Sequence, residues 1–344
     1  TIKKPSDYFN TKLYTGNGSA GHAITGVGFQ PDFVWVKSRS AVRDHTVWDV
    51  IRGVQQRLIP NSTGASGVNN GLSSFDTDGF TTGDSGSINA NTETQVAWNW
   101  KANGTGSANT DGSISSTVSA NTTSGFSIVS YTGTGSAGTV GHGLGSTPKM
   151  IIIKNITQVT DWVVGHQEAD TSNPWNKYLQ LNDPTVPLDS PVFNDTAPTN
   201  SVFSVGADGK TSSGAGSHIA YCFADVQGYS KFGSYTGNGN ADGTFVYTGF
   251  KPAWIMIKNA SSSSEEWNIW DNKRNPFNVM TTRLVANITA ADSVTSAGFF
   301  DFTSNGFKIR STANGVNQSG NTLIYMAFAE NPFVTSTAIP ATAR

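Results

Sequence analysis

The residues that could do chemistry in this chain are few, and their spacing is the first test of any catalytic reading. Glycosidic cleavage with retention needs two carboxyl groups about 5–5.5 Å apart. Only five glutamates occur: Glu93, Glu168, Glu265, Glu266 and Glu330. Glu265 and Glu266 are adjacent, so on a strand they point to opposite faces. Asp76 and Asp78 have the alternating spacing, but Gly79 follows them and marks a turn. With Asp84 they form a candidate hard-oxygen site for Ca²⁺; an Asp-stabilised turn is the simpler reading. The histidines, His22, His45, His142, His166 and His218, show no i, i+2 or i, i+4 pair of metal-ligand type. Neither a nucleophile elbow nor a phosphate-binding loop is present. Cys222 is the only cysteine, which excludes an intrachain disulfide and reads as a small packed side chain. One aromatic stands out: Trp175, in Asn173-Pro174-Trp175-Asn176, has no counterpart elsewhere in the chain. With Asn176 beside it, it is a candidate glycan contact; the competing reading is a ring that plugs a gap between layers. The expectation is no catalytic residue, no cofactor and no metal beyond the Asp76, Asp78, Asp84 candidates.

The elements that carry these residues repeat three times. Tyr14-Thr15-Gly16-Asn17-Gly18 recurs as Tyr131-Thr132-Gly133-Thr134-Gly135 and as Tyr235-Thr236-Gly237-Asn238-Gly239. Each Tyr is followed at fixed spacing by a proline (Pro31, Pro148, Pro252) and then a lysine (Lys37, Lys154, Lys258). An apolar strand lies between them, as in Met150-Ile151-Ile152-Ile153. Each repeat closes on a matching strand, and strand alternation makes Val96/Trp98/Trp100, Ile219/Tyr221/Phe223 and Ile324/Met326/Phe328 equivalent rows, expected to point into each repeat's own interior. Shared aromatics (Phe80, Phe203, Phe307) and a mid-repeat strand beginning at His45, Trp162 and Trp267 complete the pattern. The units are 1–105, 106–226 and 227–333, with a tail at 334–344. Gly104–Thr123 reads as a linker that also supplies an opening strand to the second unit. Asp49–Leu58 is the best helical candidate. Turn dipeptides such as Asp78-Gly79, Asp208-Gly209 and Asn305-Gly306 bound the strands. The fold class read from this is all-β, three tandem antiparallel β-sandwiches.

Composition narrows the function classes. Charged residues make up 13% of the chain, half the usual ~25%, and glycine is 37 of 344 residues. The net charge is −2, which argues against a nucleic-acid partner. No apolar run approaches the ~18 residues of a spanning helix, so no membrane insertion is expected. The opening Thr1–Asp7 has no apolar signal-peptide stretch, and Thr1 suggests an initiator Met removed. Together with the Ser/Thr/Asn/Gly richness, this fits a product made in a cytoplasm and released in a particle or by lysis.

Tyr14-Thr15-Gly16-Asn17-Gly18, the stretch Gly28-Phe29-Gln30-Pro31-Asp32-Phe33-Val34-Trp35-Val36-Lys37 and Val96-Ala97-Trp98-Asn99-Trp100-Lys101-Ala102 resemble a family of bacteriophage virion proteins of tail-fibre or structural type. The ending Phe328-Ala329-Glu330-Asn331-Pro332-Phe333 with Pro340–Arg344 is similar as well. The resemblance implies repeated concanavalin-A-like (laminin-G-like) sandwiches and a place on the virion, the chain being made in the host cytoplasm. The expected function is a non-enzymatic structural protein shown as a tail fibre or knob for host attachment. Capsid decoration or a glycan-binding lectin module are the alternatives, and a glycoside hydrolase is the third. Expected partners are other virion proteins, host surface glycan, and further copies in a homo-oligomer, with a trimer as the first expectation.

Overall fold

The computed structural model describes residues 2–333, so the tail at 334–344 lies outside the described residues. The fold is all-β, with 42% strand and 6% helix, and every named sheet pairing is antiparallel. Each sheet draws its strands from one repeat, and the same four-strand frame occurs in all three. The Tyr-bearing opening strand pairs with the closing strand, which pairs with the proline-led strand, which pairs with the mid-repeat strand. In the first repeat these are Phe9–Thr15, Thr94–Trp100, Phe33–Ser38 and Thr46–Asp49. In the second they are Phe126–Thr132, Ser217–Phe223, Met150–Asn155 and Val163–His166. In the third they are Ser230–Thr236, Thr322–Pro332, Phe250–Asn259 and Asn268–Asp271. The register is common too: Trp35 faces Trp98, Ile152 faces Tyr221, and Met256 faces Met326.

A smaller sheet covers one face of each frame, and the interior between them is local to the repeat. In the first, Val34, Val36, Trp48 and Ala97 pack on Ile24, Leu72 and Phe80. In the second, Ile151, Ile153, Ala220 and Cys222 pack on Val140, Phe203 and Val205. In the third, Ile255, Ile257, Trp270 and Ala327 pack on Val246, Phe302 and Phe307. The opposite faces of all three frames meet in one shared core. Phe33, Trp35, Trp98 and Trp100 lie there with Ile152, Tyr221 and Phe223 and with Trp254, Met256, Met326 and Phe328. This corrects the expected direction of the aromatic rows. Trp98, Tyr221 and Met326 are equivalent and buried, but they point away from their own small sheets and toward the other two repeats. A frame covered on both faces has no polar face, which is why Phe33–Ser38 and Met150–Asn155 are buried at every position.

Asp49–Leu58 is not helical; Asp49 ends a strand and turns follow it. The short helices lie instead at Gly86–Asn89, Gly209–Ser212 and Asn314–Asn317, one turn at the same place in each repeat. The Gly104–Thr123 stretch forms strands Ser107–Asn109 and Ser116–Asn121, which extend the second repeat's sheet.

Candidate functional site at the seams between repeats

The Tyr-Thr-Gly-x-Gly motif locks each opening strand to its one-turn helix. The three tyrosine hydroxyls donate to Ile88 O, Thr211 O and Val316 O at 2.6–2.8 Å. Any Cβ on Gly16, Gly133 or Gly237 would come within 2.2–2.4 Å of a backbone oxygen of the segment just after the helix, so only glycine fits. The second glycine of the motif has φ of +72°, +75° and +68° in turn, the left-handed region.

The repeated lysines do different work, because they reach out of their own repeat. Lys37, Lys154 and Lys258 are fully buried at strand ends. Lys37 Nζ donates to Thr289 O of the third repeat at 3.1 Å, Lys154 Nζ to Thr63 O of the first at 3.0 Å, and Lys258 Nζ to Pro184 O of the second at 2.8 Å. Burial pushes each ammonium down to about 8. A second set runs beside them. His45 Nε2 lies 2.9 Å from Val285 O, Trp162 Nε1 donates to Ile59 O at 3.0 Å, and Trp267 Nε1 donates to Gln180 O at 2.8 Å. The three seams therefore close a ring, with the third repeat bonded to the first as the first is to the second.

The mid-repeat strands carry a third set, and here the seams differ. Asp49 accepts from Tyr221 Oη of the second repeat at 2.8 Å and from its own Arg52 at 2.6 Å. Asp271 accepts from Trp98 Nε1 of the first repeat at 3.1 Å and from Arg274 at 2.6 Å. Both ion pairs are buried. The second repeat has His166 and Ala169 at these positions, opposite Met326, which offers no donor; His166 Nε2 instead lies 3.3 Å from Tyr325 O. Burial pushes the His166 imidazole down to about 4 and keeps it neutral. Two further positions vary along the same seams. Ser66 and Asp292 donate their backbone N–H to Ile156 O and Arg39 O at 2.9 and 2.8 Å, whereas the equivalent Pro187 has no N–H for Ala260 O. Arg39 and Arg274 both bind Asp292, which occupies these positions at the third-to-first seam. At the second-to-third seam, Ala169 and Ala260 leave a cleft of about 370 Å³, also lined by Glu168, Asp170, Lys177, Ser261 and Thr322.

A family model, described as a domain of unknown function (DUF7483), matches residues 4–332 and so spans all three repeats and every seam. The chain belongs to this family. No curated protein and no solved structure matches it.

The residues singled out in this DUF7483 chain fall elsewhere than at one site. Trp175 is buried in the second repeat's own interior, its ring edge-to-face with Phe193 at 5.3 Å. It fills the space above Gly165, where an added Cβ would lie 2.5 Å from the indole. Gly165 stands where the other repeats have Trp48 and Trp270, so Trp175 restores the missing volume; no ring face is left for a sugar. Asn176 follows it, half-buried, at the end of a short 3₁₀ turn. Asp78 accepts the N–H groups of Gly26 and Gly28 at 3.0 and 2.6 Å, which hold its carboxyl below the usual range. Asp76 accepts from Ser74 and Thr81, and Asp84 from Asn70. These are turn-stabilising bonds, and among the described residues no three His, Cys, Asp or Glu side chains gather in a way that could hold a metal ion. Cys222 is buried against the small sheet, and burial pushes its thiol well up. No helix among the described residues is long and apolar enough to cross a membrane. The seam residues were missed as a site, although a lysine closing an apolar run three times over was the signal for them.

Proposed function

We propose that the chain is a non-enzymatic structural protein displayed on a phage particle as a tail-fibre or knob module for host attachment, with capsid decoration as the alternative placement. The resemblance of the repeat motifs to virion proteins supports this reading, and so does the ring of seam contacts. Groups that could act as bases, nucleophiles or acids elsewhere are committed to holding repeats together: Lys37, Lys154 and Lys258 to carbonyls, Asp49 and Asp271 to arginines and ring donors. That is the arrangement of a rigid object whose outer sheets face away from a common centre. Each repeat, a large sheet under a small one, fits the concanavalin-A-like sandwich implied by the resemblance.

Mass spectrometry of purified particles and a reconstruction that locates three pseudo-equivalent lobes test the placement. Particles that lack the protein, or adsorb to host equally well without it, would sink attachment as its role. Light scattering on the purified chain tests the expected homo-oligomer. One chain already supplies a threefold arrangement, so a trimer would be a second layer of assembly.

A further inference from the structure

We infer that the cleft between the second and third repeats is a binding site for a neutral, polyhydroxylated sugar unit. Three departures from the repeat pattern converge on this one seam. Ala169 stands in place of Arg52 and Arg274. Ala260 stands in place of Ile156 and Arg39. Pro187 stands in place of Ser66 and Asp292, so the Ala260 carbonyl goes without the backbone bond its two equivalents accept. At the equivalent positions the other two seams carry those same side chains and bonds.

The space left is near the lower end of the ~300–1,000 Å³ typical of small-molecule sites. Its polar groups suit hydroxyls on several sides. The Glu168 carboxylate and the Ala260 carbonyl are acceptors, and Lys177 is a donor already shared with the exposed Asp189 at 3.1 Å. The Asp170 carboxylate is kept ionised by the N–H groups of Ser172 and Asn173. Thr171, Ser261 and Thr322 add hydroxyls, while Ala169, Val186 and Pro187 supply a small apolar wall for C–H groups. Two carboxylates against one ammonium disfavour a phosphate or carboxylate ligand. The lining is too polar for an apolar one.

Saturation-transfer NMR on the full chain with glucose, galactose, N-acetylglucosamine and glucosamine, each at millimolar concentration, tests this directly. At least one neutral sugar is expected to receive saturation. Ala260→Ile, which installs the side chain the second repeat carries at this position, should abolish the signal with melting unchanged. Glu168→Gln should weaken binding about tenfold or more, the loss of one charge-assisted bond. No transfer to any neutral sugar, or transfer that survives both variants, would overturn the assignment. A response to glucosamine alone would also overturn it, by reassigning the cleft to a cationic ligand.

Discussion

Where the first repeat meets the second, a buried Asp49–Arg52 pair receives the Tyr221 hydroxyl; where the second meets the third, His166 and Ala169 stand opposite Met326. The backbone frame is the same, so the difference isolates what the buried acid requires. An ionised carboxylate is retained only where the facing repeat offers an O–H or N–H and where an arginine shares the interior with it, because an unpaired buried charge costs several kcal/mol. Remove the donor, as Met326 does, and the acid and its arginine are both absent. Residues more than a hundred positions apart thus match one another across each seam, and the matching is specific to the seam.

The largest expected break in this comparison is Trp98→Ala. It removes a fully buried indole from the core common to all three repeats, along with the donor to Asp271. A loss of about 3–5 kcal/mol is expected, and calorimetry should show one cooperative transition, with no repeat surviving alone. Two separated transitions would mean that the repeats keep independent interiors.

Asp271→Ala is expected to cost a similar ~3–5 kcal/mol, since Arg274 and the Trp98 N–H are then left short of partners in the interior. His166→Ala, the matched change at the neutral seam, forfeits hydrogen bonds of roughly 1 kcal/mol each and the packing of one small ring, but strands no charge, so the loss should be smaller. Equal losses in urea titrations of the two variants would remove the distinction between charged and neutral seams.

Met326→Tyr sharpens the comparison from the other side. Alone it should destabilise by about 1–3 kcal/mol, through overpacking and an unpaired hydroxyl. Combined with His166→Asp and Ala169→Arg it should recover part of that loss, giving a coupling energy of roughly 0.5–3 kcal/mol in a mutant cycle. Strict additivity would show that the donor and the acid do not sense each other.

A pH titration tests the lysines of all three seams together. Lys37, Lys154 and Lys258 titrate near 8 when folded and near ~10.4 when unfolded, so the unfolded chain binds more protons between these values. Stability should therefore rise from pH 8 toward pH 10. Above ~10 it should fall, because the unfolded chain loses tyrosine protons that the buried Tyr131, Tyr221 and Tyr235 retain. On the acid side His166, near 4 when folded, should withdraw stability as pH drops below ~6.5. A Lys37→Met, Lys154→Met, Lys258→Met chain whose melting temperature rises just as steeply between pH 8 and 10 would show that the lysines are not the source.

The frame was legible in the residues because spacing carries it: Tyr14, Pro31 and Lys37 recur without insertion, and the strands they mark lie in equivalent registers. The direction of the aromatic rows was not legible from alternation alone, since Val34 and Trp35 are both apolar and both buried. The clue was the lack of a polar face in Met150-Ile151-Ile152-Ile153, which a sheet with one side in water would have shown. The seam chemistry was hidden for a different reason. Asp49 and Tyr221, or Ala260 and Pro187, are neighbours only after the ring closes, and no local pattern pairs them. Trp175 illustrates the same limit, because its purpose is set by the absence of a side chain at Gly165.

The closure of three repeats within one polypeptide bears on how many ligand sites such an object carries. In a ring of identical subunits every junction is encoded by the same residues, so opening one opens all, and each opened junction gives up its own stabilising contacts. Here the junctions are encoded separately. Ala169, Pro187 and Ala260 leave space at one of them where Arg39, Arg274 and Asp292 form ion pairs across another. The cleft beside Ala169 and Ala260 is therefore specific to its junction, and the positions equivalent to it on the other two are occupied by Arg52 with Ile156 and by Arg274 with Arg39.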